Sequence, residues 1–186
     1  MPKTYKWDLF VRLTHWIVAG SFLTNYLITE EGSKTHQWIG YLLMITICLR
    51  LIWGLIVHSP ARLSAFKPSI HNAFIHIKQV IETKEDHHEG HNPAGAVMVW
   101  ILWSGLLITR LSGWATQLDM LWANDWLSEL HGALANLTML ATVSHIAAIV
   151  IMSHWTGHNY LKICCYIKNR NMFIEPECLG SSGLID

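Results

Sequence analysis

Four apolar stretches, from about Phe10 to Ile28, Gln37 to Val57, Ala94 to Leu111 and His131 to Ser153, set the strongest limit on how this chain can fold. As helices rising ~1.5 Å per residue, each can cross the ~30 Å hydrocarbon layer of a bilayer. The third and fourth carry no Asp, Glu or Lys between their ends, while the first two hold Arg12 and Arg50 near theirs. Charged residues make up only 14% of the 186, against roughly 25% in soluble domains. This composition argues against a soluble globular protein, a disordered chain and a disulfide-rich secreted module. The 13 basic and 13 acidic residues cancel, so the electrostatic basis for nucleic-acid binding is missing. The reading is an all-α membrane protein, a four-transmembrane-helix bundle, in contact with membrane lipid.

The basic residues orient it. With the N-terminus inside, the inner segments hold Lys3, Lys6, Arg12, Arg62, Lys67, Lys78, Lys84, Lys162, Lys168 and Arg170, and the outer loops only Lys34. That positive-inside bias predicts two cytoplasmic termini. Trp7, Trp38, Trp53, Trp114, Trp122, Trp126 and Trp155 fall near span ends, as an aromatic belt requires. The N-terminal apolar stretch holds Asp8, Arg12 and His15 and lacks a small-residue cleavage site, so it reads as retained. Between the second and third spans, Ala73, Phe74, Ile77, Val80 and Ile81 recur at helical spacing and predict an inner-side amphipathic helix over 70–81. Residues 1–170 read as the membrane domain and 171–186 as a loosely ordered cytoplasmic tail. Cys48, Cys164, Cys165 and Cys178 form no CxxC or CxxCH, which leaves plain thiols and gives no support to covalent c-type haem.

Ionisable groups inside a span are costly and ask for a function or a partner. Four histidines stand out: His15, His36, His131 and His145. His131 and His145 are fourteen residues apart, about 21 Å along one helix and on the same side of it. The alternating direction of the spans then puts His36 level with His131 at the outer side, and His15 level with His145 at the inner side. Two facing imidazoles at each level are what a six-coordinate haem iron needs, and bundle interiors are where such cofactors sit. A lone membrane histidine is equally well explained by a hydrogen bond to a neighbouring helix; two pairs at matched depths favour ligation.

Three arginines fit the same scheme. Arg50 lies fourteen residues past His36, Arg12 one turn before His15, and Arg110 near the outer end of the third span. A guanidinium suits bidentate pairing with a haem propionate, although Arg12 and Arg50 can also snorkel to the interface. Gly20, Gly40, Gly54 and Gly105 are places where a flat ring can approach a helix. His154 faces away from His145 and reads as interfacial, and His58, His71, His76 and His158 as surface groups. His87, His88 and His91 form HHEGH, for which a metal ion is the minor reading. Ligand imidazoles should donate their second ring N–H to a carbonyl or hydroxyl; Thr14 and Ser144 are nearby in sequence.

The stretches WDLFVRLTHW, HQWIGY, RLIWG around Arg50, GHNPAGA, and ELHGALAN followed by SH at His145 together resemble the bacterial cytochrome b561 and nickel-hydrogenase cytochrome-b subunit family over roughly Tyr5 to Arg170. The resemblance implies four membrane helices holding two non-covalent b haems, with His15, His36, His131 and His145 as ligands. The exit SHWTGHNYLK and the tail beyond Arg170 depart from the family pattern, and GHNPAGA looks more like members that accompany periplasmic c-type cytochromes.

The expected function is therefore electron transfer in a bacterial inner membrane, between the quinone pool and a periplasmic c-type cytochrome or other redox subunit. His91 and His154 are candidate proton acceptors for a quinol. The outer loop, with Asp119, Asp125 and Glu129, suits docking of a basic protein or simple solvation. One rival is a superoxide:quinone or ferric oxidoreductase with its own outer active site. The other is a haem-free transporter, against which the lack of acidic residues in the spans speaks.

Overall fold

The computed structural model describes residues 9–57, 68–84, 93–118 and 125–156, and these residues contain helices and no strand. The helices are α1 (Leu9–Leu27), α2 (Lys34–Ile56), α3 (Ile70–Thr83), α4 (Pro93–Ala115) and α5 (Asp125–Thr156). Local chemistry sets several ends. Gly32 turns the chain at φ 72°, and the Ser33 hydroxyl then accepts from the His36 amide at 3.1 Å, capping α2. Ser69 caps α3 through the Asn72 amide in the same way. Pro93 opens α4, where a missing N–H costs nothing.

Three helices, α2, α4 and α5, are long and apolar enough to cross a membrane. The four-span expectation is met in part: α1 forms over 19 residues but falls short in apolarity. Arg12, His15 and Asn25 lower its average hydropathy, and Asn25 uses its side chain to bond the His36 carbonyl. At 32 residues, α5 is longer than a bilayer requires. It starts six residues before His131, so that Asp125 and Glu129 ride on its first turns.

Side-chain contacts fix the directions. Asn25 near the end of α1 reaches His36 at the start of α2, while Phe10 at the start of α1 stacks on Trp53 near the end of α2, centroids 4.8 Å apart. The Arg110 guanidinium of α4 lies over Tyr41 of α2, and that of Arg50 on α2 lies over Trp103 of α4. Between α4 and α5, Thr109 pairs with Thr138 at 3.0 Å. Neighbouring helices therefore run antiparallel. The bundle is made of two hairpins, α1 with α2 and α4 with α5, which meet through a slimmer α2–α4 contact.

Phe22, Leu43, Ile47 and Leu106 form the buried core, with Val18, Leu51, Leu107 and Met139 packed around it. In sequence these residues fall between the outer histidines, His36 and His131, and the inner ones, His15 and His145, so the apolar layer separates the two levels. Outside it, Leu42, Ile45, Leu49 and Ile52 on α2 and Leu137, Leu140, Ile146 and Val150 on α5 are at least half exposed. An apolar surface of that extent is suited to lipid rather than water.

The amphipathic helix expected over 70–81 is α3, and it packs on α4. Its buried row is Ala73, His76 and Val80. Ile70, Phe74, Ile77 and Ile81 form a second, exposed apolar row, at the i, i+4, i+7, i+11 spacing of one helix face. His76, read from sequence as a surface group, is instead only 4% exposed, because its position on the helix is shared with Ala73 and Val80. His71 is exposed as expected, and so is His154. His58, His87, His88, His91, His158, Asp119, Trp7, Trp122 and the segment 171–186 lie outside the described residues.

Candidate cofactor site

His36 occupies the third helical position of α2, where its amide is held by Ser33 and its carbonyl accepts from the Asn25 side chain at 3.0 Å. Backbone anchoring on both sides fixes the direction in which the ring leaves the helix. The ring's Nδ1 lies 3.1 Å from the Thr29 hydroxyl oxygen. That hydroxyl also lies 2.9 Å from the Asn25 carbonyl and 3.2 Å from the Asn25 Oδ1, both acceptors. With its single hydrogen given to one of them, the oxygen accepts from the ring, which matches a His36 that carries its hydrogen on Nδ1 and a lone pair on Nε2.

His131, on the facing wall, reaches the same state by a different route. Its Nδ1 lies 3.0 Å from the Thr109 carbonyl, which can only accept. The Ser112 hydroxyl, 3.0 Å from the same nitrogen, donates to that carbonyl at 2.8 Å. Gly113 makes the approach feasible. A Cβ there would stand 2.7 Å from the His131 Cε1 atom, a distance that real side chains do not reach.

The two rings face each other with centroids 6.2 Å apart and planes at 84°. Around them lies a recess of ≈ 250 Å³, open at its mouth, whose walls include Phe22, Leu43 and Leu106 below and Asn25, Tyr26, Glu31 and Asn136 toward the rim. At the rim the Tyr26 hydroxyl donates to Asn136 at 2.7 Å. Arg110 also lines the recess. Its guanidinium sits 4.5 Å from the centre of the Tyr41 ring and fills the space left by Gly40, where a Cβ would meet it at 3.0 Å. Although Arg110 is buried, its Nη2 has no hydrogen-bond partner among the described residues.

His145 is half-buried and His15 exposed, yet the two lie close enough to interact electrostatically. His15 packs edge-on against Trp16, with centroids 5.5 Å apart. Arg50 is buried, with its guanidinium 5.5 Å from the centre of the Trp103 ring; Arg12 is half-buried one turn before His15. The structure thus brings His36, His131 and Arg110 to one recess, and His15, His145 and Arg50 to the opposite end of the helices.

Sequence reading missed the groups that orient the outer rings. Thr14 and Ser144, the neighbours it pointed to, donate to carbonyls of their own helices, Phe10 and Leu140 respectively. The partners are Thr29, Thr109 and Ser112 instead. A faint signal existed in Thr109, Ser112 and Gly113, polar and small residues spaced along one face of an otherwise apolar span. Thr29 gave none, since its role depends on how the α1–α2 turn folds back. Among the glycines singled out, Gly40 makes room for Arg110 and Gly105 for Thr138, while nothing stands within 4 Å of a Cβ on Gly20.

Described residues that are helical and carry no strand, with three helices of membrane length, define a class: a multi-pass membrane protein. The sequence model for the prokaryotic cytochrome b561 family matches residues 6–162, and the chain belongs to that family. It is accordingly a multi-pass bacterial membrane protein of the b-type haem, electron-transferring kind. No curated protein and no solved structure matches it.

Proposed function

We propose that the chain carries electrons across the bacterial inner membrane through two b haems, one at each histidine level, between the quinone pool and an external redox partner such as a periplasmic c-type cytochrome. In this reading α1 is the fourth membrane crossing, both termini are cytoplasmic, residues 1–170 form the dihaem unit and 171–186 a cytoplasmic tail. His36 with His131 holds the outer group and His15 with His145 the inner one.

The opposed rings of His36 and His131 carry this reading. Two imidazoles ligating one metal from opposite faces, at ~2 Å metal–nitrogen distance, put their centroids ~6 Å apart; here they are 6.2 Å apart. Both have Nδ1 engaged by an acceptor, which is the usual state of a ligating histidine. A bare ion asks for three or four protein ligands. Among the described residues no group of three or more His, Cys, Asp or Glu gathers to hold one, so an opposed pair suits a metal whose remaining ligands come from a macrocycle. Arg110, which lines the recess beside them and whose buried Nη2 has no partner among the described residues, suits a propionate.

A b haem, when bound, supplies a one-electron ferric–ferrous couple. The protein's part is positional. His36 and His131 would hold the metal, and two protein ligands would keep oxygen chemistry from it. Arg110, braced on Tyr41 and by the room at Gly40, offers its guanidinium to a carboxylate; Arg50 and Arg12 are assigned the same task at the inner level. Phe22, Leu43, Ile47 and Leu106 place an apolar layer between the two levels, which disfavours water and ions there.

A dithionite-reduced visible spectrum of the purified chain tests the proposal. Sharp b-type bands equivalent to two haems per chain are expected, and His131→Ala should remove about half of them. A featureless spectrum, or full absorbance after that substitution, overturns it.

A further inference from the structure

Thr29 belongs to no helix. It sits in the short connection between α1 and α2, where its amide bonds back to the Thr24 carbonyl at 3.2 Å. Even so, its hydroxyl is what meets His36 Nδ1. Asn25 holds both partners of that bond: its carbonyl lies 2.9 Å from the Thr29 hydroxyl, and its side-chain amide donates to the His36 carbonyl at 3.0 Å. The loop, the end of α1 and the first turn of α2 are thereby locked around one imidazole nitrogen.

The two outer rings differ in one respect. His131 donates to a backbone carbonyl, which no substitution removes. His36 donates to a side-chain hydroxyl, so its electronic state depends on the identity of a single residue. An acceptor on the distal nitrogen fixes the tautomer and raises the basicity of the ligating nitrogen. A more basic ligand favours the more highly charged ferric state and lowers the midpoint potential.

We propose that Thr29 is a positioning residue for the outer haem: its hydroxyl holds His36 as the Nδ1–H tautomer and keeps the outer midpoint potential low. The inference rests on the reading of His36 as a ligand. His15 and His145 lie at the other histidine level, away from Thr29, so the inner haem serves as an internal reference.

The test is a spectroelectrochemical titration of the full haem-loaded chain in detergent, with ferric low-spin resonance spectra, for wild type, Thr29→Val, Thr29→Ser and His36→Ala. Valine preserves the shape of threonine and removes the acceptor; serine keeps it. With Thr29→Val the outer haem should stay bound, and its ferrous-to-ferric ratio at the wild-type midpoint should rise about tenfold, a shift of ~59 mV for one electron. The inner potential should not move, and Thr29→Ser should behave as wild type. Loss of the outer haem in Thr29→Val alone, with Thr29→Ser intact, also supports the hydroxyl's role. An unchanged outer potential in haem-replete Thr29→Val overturns the proposal, as do equal shifts or equal haem loss in both variants, which mean packing. Wild type without b-type bands, or His36→Ala with an unaltered outer haem, instead overturns the ligand assignment beneath it.

Discussion

Gly113→Ala places one methyl group against the ring on which the outer site depends. The new Cβ would lie 2.7 Å from His131 Cε1, 3.1 Å from Nδ1 and 3.2 Å from Nε2, whereas ordinary contact begins at 3.4 Å. The ring therefore has to retreat by ~0.7 Å from α4. The contact falls on the edge that carries both nitrogens, so the orienting and the ligating atoms move together. The Nδ1–Thr109 bond, now 3.0 Å, lengthens beyond hydrogen-bonding distance, a loss of about 1 kcal/mol. Overpacking adds about 1–3 kcal/mol. The sum, roughly 2–4 kcal/mol, corresponds to a ~30- to 700-fold weaker hold on the outer haem. Haem per chain and reduced-minus-oxidised spectra are the assay. Gly113→Ala should retain the inner haem and lose most of the outer one. A Gly113→Ala protein with full haem content and unshifted bands would refute the assignment of that glycine as clearance for a ligand.

His145→Ala should remove the inner haem and spare the outer, the mirror image of His131→Ala, with redox titration identifying which couple is gone; loss of the same couple in both would contradict the two-level arrangement. Arg110→Gln removes both the propionate partner and a cation–π contact worth about 0.5–2 kcal/mol, so faster haem loss to an acceptor protein is expected from the outer site only. Thr138→Val deletes the interhelical hydroxyl pair with Thr109; thermal unfolding in detergent should report a destabilisation of about 0.6 kcal/mol, typical of such bonds in membrane helices.

Exposure sets His15 apart from the other three histidines: His36, His131 and His145 are half-buried, whereas His15 is exposed beside Trp16. His76 illustrates how a helix position overrides residue type. Polarity suggested a surface group, but its register with Ala73 and Val80 turns it toward α4.

Much of this was legible from residue order. Long apolar runs must become helices in lipid because the backbone has no other partner there, and the fourteen-residue spacings of His131 with His145 and His36 with Arg50 follow from 3.6 residues per turn. Helical periodicity likewise announced α3 and its apolar face. The count of crossings was less legible, because Arg12, His15 and Asn25 make α1 the least apolar of the long helices, and its place depends on packing against α2. What only the tertiary structure decided is which groups hold the histidines. Thr29, Thr109, Ser112 and Gly113 lie seven to twenty-two residues from the rings they serve. Hydrogen bonds and steric clearance act over about 3 Å of space, and a chain that folds back on itself sets those distances through its turns and helix contacts, which no local pattern encodes.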